Sequence, residues 1–135
     1  MVKIDYLCIR IIRYTEKQMY KISKQFSFSA SHVLDCLCDG HPCSRLHGHN
    51  YLVTFHLCRE DLDEHGFVKD YRELKPVKEY LDRELDHRHL NEIFTFHPTA
   101  ENIARFLYDK FKPFFQELYA VEVSETSKTN AVYEA

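Results

Sequence analysis

The sequence predicts an α+β fold: four strands and two helices in the order ββααββ, forming a four-stranded antiparallel sheet with both helices on one face. Three observations predict it. Two stretches of apolar/polar alternation come first, two stretches with helical apolar spacing follow, and two short alternating stretches close the chain. A length of 135 residues sets the scale of one domain. A hydrophobic content of 44%, with 9 Tyr and 10 Phe, supplies a core and argues against disorder.

Residues 20–32 place Tyr20, Ile22, Phe26, Phe28, Ala30 and His32 on one face, interrupted by Lys24, and Lys21, Ser23, Gln25, Ser27, Ser29 and Ser31 on the other. A period of two is that of a half-buried strand, and it puts His32 on the buried side. Asp39-Gly40 and Pro42 make 33–46 a loop. Residues 47–58 form a second strand, with His47, His49, Tyr51, Val53, Phe55 and Leu57 on one face. Asp63-Glu64-His65-Gly66 turns the chain into the extended piece Phe67-Val68-Lys69. Asp70 with Glu73 resembles a capping box, while Pro76 moves the start of the regular helix toward Lys75.

Leu74, Val77, Leu81 and Leu85 keep helical spacing, and a loop through His87, His89 and Asn91 follows. Thr99 is the expected N-cap of the second helix. Its apolar stripe runs through Ile103, Phe106, Leu107, Phe111, Phe114 and Leu118, with a kink or break at Pro113. Residues 120–126 form a third strand with Val121, Val123 and Glu125 on one face, and 131–133 a fourth. So small a sheet leaves edges exposed, for which oligomerisation is a common remedy.

Charge narrows the partners. Eighteen basic residues against 21 acidic ones give a net −3, with the basic residues spread along the chain. Nucleic acid as a main partner would call for a basic face. A local basic pocket for a phosphorylated small molecule remains allowed. Five cysteines, an odd count with no secretory signal ahead of them, point to free thiols in a reducing compartment. No stretch approaches the ~20 apolar residues that span a bilayer. The apolar run from Tyr6 to Ile12 is interrupted by Arg10 and flanked by Asp5 and Arg13. A cytoplasmic protein without a membrane partner is expected.

The chemistry centres on histidine. His47 and His49, two apart in a strand, aim two imidazoles at one point, and His32 at the end of a neighbouring strand can supply a third. Three neutral imidazoles with a fourth position left to water or substrate is the pattern of a catalytic zinc. The alternative is three ordinarily hydrogen-bonded histidines. A second ligand set, Cys36, Cys38, His41 and Cys43, competes for a metal, although its Cys-x-Cys spacing is tight.

Five segments in order carry a resemblance: Phe-Ser-Ala-Ser-His at 28–32, Cys-x-x-x-His-Gly-His at 43–49, Leu-Asp-His-x-x-Leu-Asn at 85–91, Pro-Thr-x-Glu at 98–101 and Val-x-Val-x-Glu-Thr at 121–126. Together they resemble the 6-pyruvoyltetrahydropterin synthase superfamily over residues 20–134. The three residues between Cys43 and His47 look like its carboxy-forming bacterial branch, the 6-carboxytetrahydropterin synthases of the queuosine and 7-deazapurine pathway. Pyruvoyl-forming members carry a longer insertion there, and a folate-pathway group has Glu in place of the Cys.

The resemblance implies a tunnel fold, in which monomer sheets join into an oligomeric barrel, a trimer or a dimer of trimers, with active sites between subunits. It implies one Zn2+ per chain on His32, His47 and His49. Cys43 would be the catalytic thiol, with Asp86 and His87 as a proton relay, and Glu125 would anchor a pterin ring. Thr99 and Glu101 are further substrate-binding candidates. The implied reaction is that of a zinc-dependent lyase converting 7,8-dihydroneopterin triphosphate to 6-carboxy-5,6,7,8-tetrahydropterin, acetaldehyde and triphosphate. Its rivals are triphosphate elimination alone, giving a pyruvoyl product, and a non-enzymatic zinc-binding protein of the same fold. Cys36, Cys38, His41, His56 and His65 receive no role, and His89 and His97 are expected at the surface. Residues 1–18 precede the resemblance and are expected to be an N-terminal extension of a single domain at 19–135.

Overall fold

A computed structural model describes residues 17–35, 37–38 and 40–135. Residues 1–16 of the expected extension lie outside them. Strand β1 (Tyr20–His32) pairs antiparallel with β2 (His47–Arg59), in a register that runs from Tyr20 opposite Arg59 to His32 opposite His47. Phe26, Phe28 and Ala30 on β1 and Tyr51, Val53, Phe55 and Leu57 on β2 are buried together. Burial of one face fixes this register, because a slip of one residue would turn every apolar side chain outward. It therefore also fixes His32 against His47.

Asp70 caps a 3-10 turn at Tyr71–Leu74, accepting from the Arg72 N–H, while Glu73 meets Lys69 Nζ at 3.2 Å. Helix α1 (Lys75–Tyr80) begins where Pro76 allows and continues as a π-helical turn over Leu81–Leu85. Leu74, Val77, Leu81 and Leu85 are all fully buried. The expected loop through His87 and His89 contains two short elements instead. Strand β3 (Arg88–His89) runs parallel to β1 opposite Ala30 and Ser31, and helix α2 (Leu90–Ile93) follows it.

Helix α3 (Ala100–Phe111) is capped by Thr99, whose hydroxyl accepts from the Asn102 N–H at 3.2 Å. The helix stops at Phe111, so Phe114 is 72% exposed and Phe115 takes its place in the core. Strand β4 (Leu118–Thr126) starts two residues earlier than expected, and β5 (Thr129–Glu134) closes the fold. Leu118 thus belongs to the sheet and not to the helical stripe.

The α+β class holds, with a correction to the sheet and helix counts. The sheet is five-stranded and mixed, in the order β3-β1-β2-β4-β5, and it is open. Among the described residues three α-helices stand where two were expected. A two-residue strand of Arg and His has no alternation to read, so the parallel edge was invisible to periodicity. The core lies between the sheet and the helices: Phe55 meets Phe26 at 5.9 Å and Phe111 of α3 at 5.6 Å. Among the described residues no helix is long and apolar enough to cross a membrane.

Candidate metal and catalytic site

At the end of the β1–β2 pair the apolar face gives way to His32, His47 and His49, whose ligand atoms all lie within 4.8 Å of one another. His32 is 1% exposed. Its Nδ1 stands 2.8 Å from the Pro98 carbonyl oxygen and 3.2 Å from the Tyr51 hydroxyl. His47 Nδ1 stands 2.7 Å from the Arg45 carbonyl oxygen. A ring nitrogen this close to a carbonyl oxygen carries the proton and donates it. Both rings are thereby held in the tautomer that leaves Nε2 with a free lone pair, the arrangement usual for histidines that bind metal.

The two lone pairs meet: His32 Nε2 and His47 Nε2 are 2.8 Å apart. The third nitrogen, His49 Nε2, is buried without any hydrogen-bond partner. Burial holds His49 below the usual imidazole value, with Glu125 opposing and the neighbouring His32 and His47 reinforcing that shift. A neutral imidazole is the ligating form. Metal–nitrogen bonds of 2.0–2.1 Å in a tetrahedron separate the nitrogens by about 3.3 Å. That value lies between the closest pair and the outer limit of the cluster, so the donor set fits a zinc-sized cation. Gly48 suits its place between His47 and His49, since a Cβ there would stand 3.1 Å from the Ala30 carbonyl oxygen.

Glu125 of β4 faces the cluster. Its carboxylate oxygens lie 3.9 Å from His32 Nε2 and 3.9 Å from His49 Nε2, and its side chain is 27% exposed. Burial, reinforced by this carboxylate, pushes the Tyr51 hydroxyl well above the usual phenol value, so Tyr51 stays protonated. Glu101 lines the same small pocket as Glu125, together with Thr129 and Asn130. Thr99, by contrast, has its hydroxyl committed to capping α3.

Asp86 and His87 stand at the β3 end of the sheet. Asp86 accepts from the Ser29 N–H at 2.8 Å with one oxygen and meets His87 Nδ1 at 2.7 Å with the other. These two contacts, Ser29 first, hold the Asp86 carboxyl below its usual value. His87 has φ of 56°, a left-handed conformation uncommon for a residue with a side chain. The bond from its own N–H to the Ser29 carbonyl, at 2.6 Å, holds it there. Its imidazole is 84% exposed and lines an open groove with Ser29, Ser31, His49, Asn50 and His89.

Cys43 lies in a 3-10 turn (Pro42–Ser44), half-buried, with its N–H donating to His41 Nδ1 at 3.1 Å. Among the described residues it stands outside the histidine cluster, and no hydrogen bond joins its thiol to Asp86 or His87. Cys36, one of the four residues of the competing set Cys36, Cys38, His41 and Cys43, lies outside the described residues. His89, expected at the surface, is half-buried and meets Ser31 Oγ through Nδ1 at 3.0 Å. The groups that orient His32 and His47 escape sequence reasoning, because two of them are backbone carbonyls. Tyr51 could have been found, since it continues the alternating face of His47 and His49.

The chain matches the family described as 6-pyruvoyl tetrahydropterin synthase over residues 21–135. It is similar to the 6-carboxy-5,6,7,8-tetrahydropterin synthase of Bacillus subtilis, 29% identical over 127 residues that cover 84% of this chain and 84% of that protein. It is also similar to a dihydroneopterin monophosphate aldolase of Pyrococcus furiosus, 33% identical over 92 residues that cover 68% of this chain and 75% of that protein. The solved structure of Caenorhabditis elegans 6-pyruvoyl tetrahydropterin synthase superposes with a TM-score of 0.76 at 29% identity, covering 87% of this chain and 96% of that one.

Proposed function

The chain belongs to the 6-pyruvoyl tetrahydropterin synthase family, and on that premise we propose that it is a zinc-dependent carbon–carbon lyase. Its substrate is 7,8-dihydroneopterin triphosphate. Its products are 6-carboxy-5,6,7,8-tetrahydropterin, acetaldehyde and triphosphate, with water consumed, in queuosine and 7-deazapurine synthesis. The observation that carries the reading is the convergence of His32, His47 and His49, with the buried His49 Nε2 left without a protein partner. The similarity to the Bacillus subtilis protein and the short Cys43–His47 spacing select the carboxy-forming outcome.

His32, His47 and His49 would hold the ion. Zinc bound there supplies Lewis-acid polarisation of the substrate's side-chain oxygens, which acidifies the adjacent C–H. Cys43, as thiolate, takes a proton from the side chain. That role needs positive charge nearby to favour the thiolate. His87 donates its Nδ1–H to Asp86 and so presents Nε2 for the opposite proton transfer. Glu125 accepts hydrogen bonds from the pterin's amino group and ring N–H, a two-point match for one carboxylate. Glu101, in the same pocket, borders the ring site, and Thr99 contributes by capping the helix that presents Glu101.

The exposed His87 ring and the open sheet support sites completed between subunits of a homo-oligomer, a trimer or a dimer of trimers. Free thiols at Cys38, Cys43 and Cys58 support a cytoplasmic setting. Triphosphate elimination alone, leaving a pyruvoyl side chain, is the second reading, favoured by the likeness to the Caenorhabditis elegans synthase. One reaction separates them. Zinc-loaded protein is incubated with dihydroneopterin triphosphate, aldehyde is trapped, and the pterin is identified by mass spectrometry. Acetaldehyde released in step with a carboxy-pterin is expected. A pterin that retains all three side-chain carbons transfers the protein to the pyruvoyl-forming reaction, and no turnover leaves a zinc-binding scaffold.

A further inference from the structure

The segment that follows the π-helical turn is tied to the edge of β1 residue by residue. Asp86 and His87 each bond the Ser29 backbone, and Arg88 and His89 pair with Ala30 and Ser31. Asn91 makes the last tie. Its Oδ1 accepts from the Val33 N–H at 2.8 Å, and its Nδ2 donates to the Val33 carbonyl at 2.8 Å. Val33 directly follows His32, where the ladder between β1 and β2 ends. One carboxamide thus supplies both the donor and the acceptor that a neighbouring strand would have offered. Further along the same segment, Pro98 holds His32 Nδ1.

We propose that Asn91 is a positioning residue for the metal site. By clamping Val33 it fixes the backbone on the C-terminal side of His32, so that the imidazole stands in its ligating direction before an ion arrives. The side-chain chemistry is specific. Aspartate keeps an acceptor for the Val33 N–H and loses the donor to the carbonyl. Alanine loses both. The inference rests on His32, His47 and His49 binding metal.

The test measures zinc affinity of the full chain by competition with a chromophoric chelator, alongside the visible absorption of the cobalt-loaded protein. Wild type, Asn91→Ala, Asn91→Asp and Lys112→Ala are compared. Lys112 bonds the Gln116 and Leu118 carbonyls and serves as a control for general destabilisation. Asn91→Ala is expected to lose about 10–100-fold in zinc affinity, the range typical when a group supporting a metal ligand is removed. Its cobalt spectrum should change while circular dichroism stays native. Asn91→Asp, which sets a carboxylate oxygen against the Val33 carbonyl, should lose affinity as well, and Lys112→Ala should match wild type. A folded Asn91→Ala with wild-type affinity and spectrum overturns the proposal. If Asn91→Ala does not fold, Asn91→Asp decides on the same readouts, and misfolding of both assigns Asn91 to the fold alone. Wild type without zinc affinity overturns the metal reading itself.

Discussion

His32 Nε2 and His47 Nε2 stand 2.8 Å apart with the other nitrogen of each ring committed to a backbone carbonyl. Two Nε2 lone pairs facing each other repel unless a cation or a proton lies between them, so a metal bound there is expected to stabilise the fold. Purified protein is expected to hold about one zinc per chain. Zinc at a hundredfold excess over its Kd should stabilise the fold by about 2.7 kcal/mol. Metal analysis and thermal melting with and without chelator check this. His32→Ala, His47→Ala and His49→Ala should each lose most of the metal. Full zinc in a His47→Ala/His49→Ala double variant would sink the site, and loss of metal on replacing Cys38 would favour the competing loop ligands.

The parts of this site that the sequence discloses are those carried by side chains in a regular element. Alternation in 20–32, broken only at Lys24, and in 47–58 puts His32, His47 and His49 on the apolar face, and the register of β1 with β2 brings them together. Glu125 was legible for the same reason, as the continuation of Val121 and Val123. The Pro98 and Arg45 carbonyls were not legible, because any residue offers a carbonyl and only the fold aims it. Arg88-His89 is too short and too polar to read as a strand. Phe114 was placed in the core by carrying a helical period past Pro113, where the helix has already ended. Spacing along the chain also says nothing of how far apart Cys43 and His87 stand in one subunit.

Asp86 gives a pH signature. The Ser29 N–H and then His87 favour its charged form, so the folded carboxyl titrates below its usual value of 3.8. The unfolded chain therefore takes up this proton at a higher pH than the folded one. The stability it contributes is fully present above about 3.8 and is lost as pH falls below that value. Asp86→Asn should flatten this acid limb of the melting temperature against pH. Turnover should fall ~10²–10⁴-fold, because His87 loses the partner that sets its tautomer. An unchanged acid limb would show that the Ser29 and His87 contacts do not bias this carboxyl in solution.

His87 also carries backbone strain, with φ of 56° on a residue that has a Cβ. A left-handed conformation costs an L-residue about 1–2 kcal/mol that glycine avoids. His87→Gly should therefore unfold at higher denaturant than His87→Ala, by about 1 kcal/mol. Both should lose turnover alike, since neither has an imidazole. Equal stability of the two variants would mean that the turn relaxes once the ring is gone.

A Cys43 variant tests the proposed chemistry apart from binding. Its thiol lies outside the histidine cluster, and its turn is held by bonds from its N–H to His41 Nδ1 and from the Leu34 N–H to its carbonyl, which alanine retains. Cys43→Ala should keep zinc, fold and pterin affinity while turnover drops ~10²–10⁴-fold, the usual contribution of a general base. Single-turnover product analysis checks it. Near-normal activity removes the thiol from the mechanism and leaves His87 as the proton-transfer group.

Glu125 is the most finely balanced position, because its carboxylate stands 3.9 Å from His32 Nε2 and His49 Nε2 and also lines the pocket shared with Glu101. As a pterin anchor it must offer two acceptor oxygens. Glu125→Gln keeps the shape and turns one acceptor into a donor that faces the ring's own donors. Loss of a charge-assisted hydrogen bond of this kind costs ~1.5–3 kcal/mol, which is roughly a 10- to 150-fold rise in Kd for the pterin. Zinc content should stay constant, since the three imidazoles remain. Glu101→Gln, exposed on the first turn of α3, should raise Kd by less. Calorimetric titration of both zinc-loaded variants with a pterin, beside their metal analysis, distinguishes the outcomes. Lost zinc with Glu125→Gln would mean that the carboxylate serves the metal instead of the ring. Unaltered pterin affinity in that variant, with a large loss in Glu101→Gln, would move the anchor to α3.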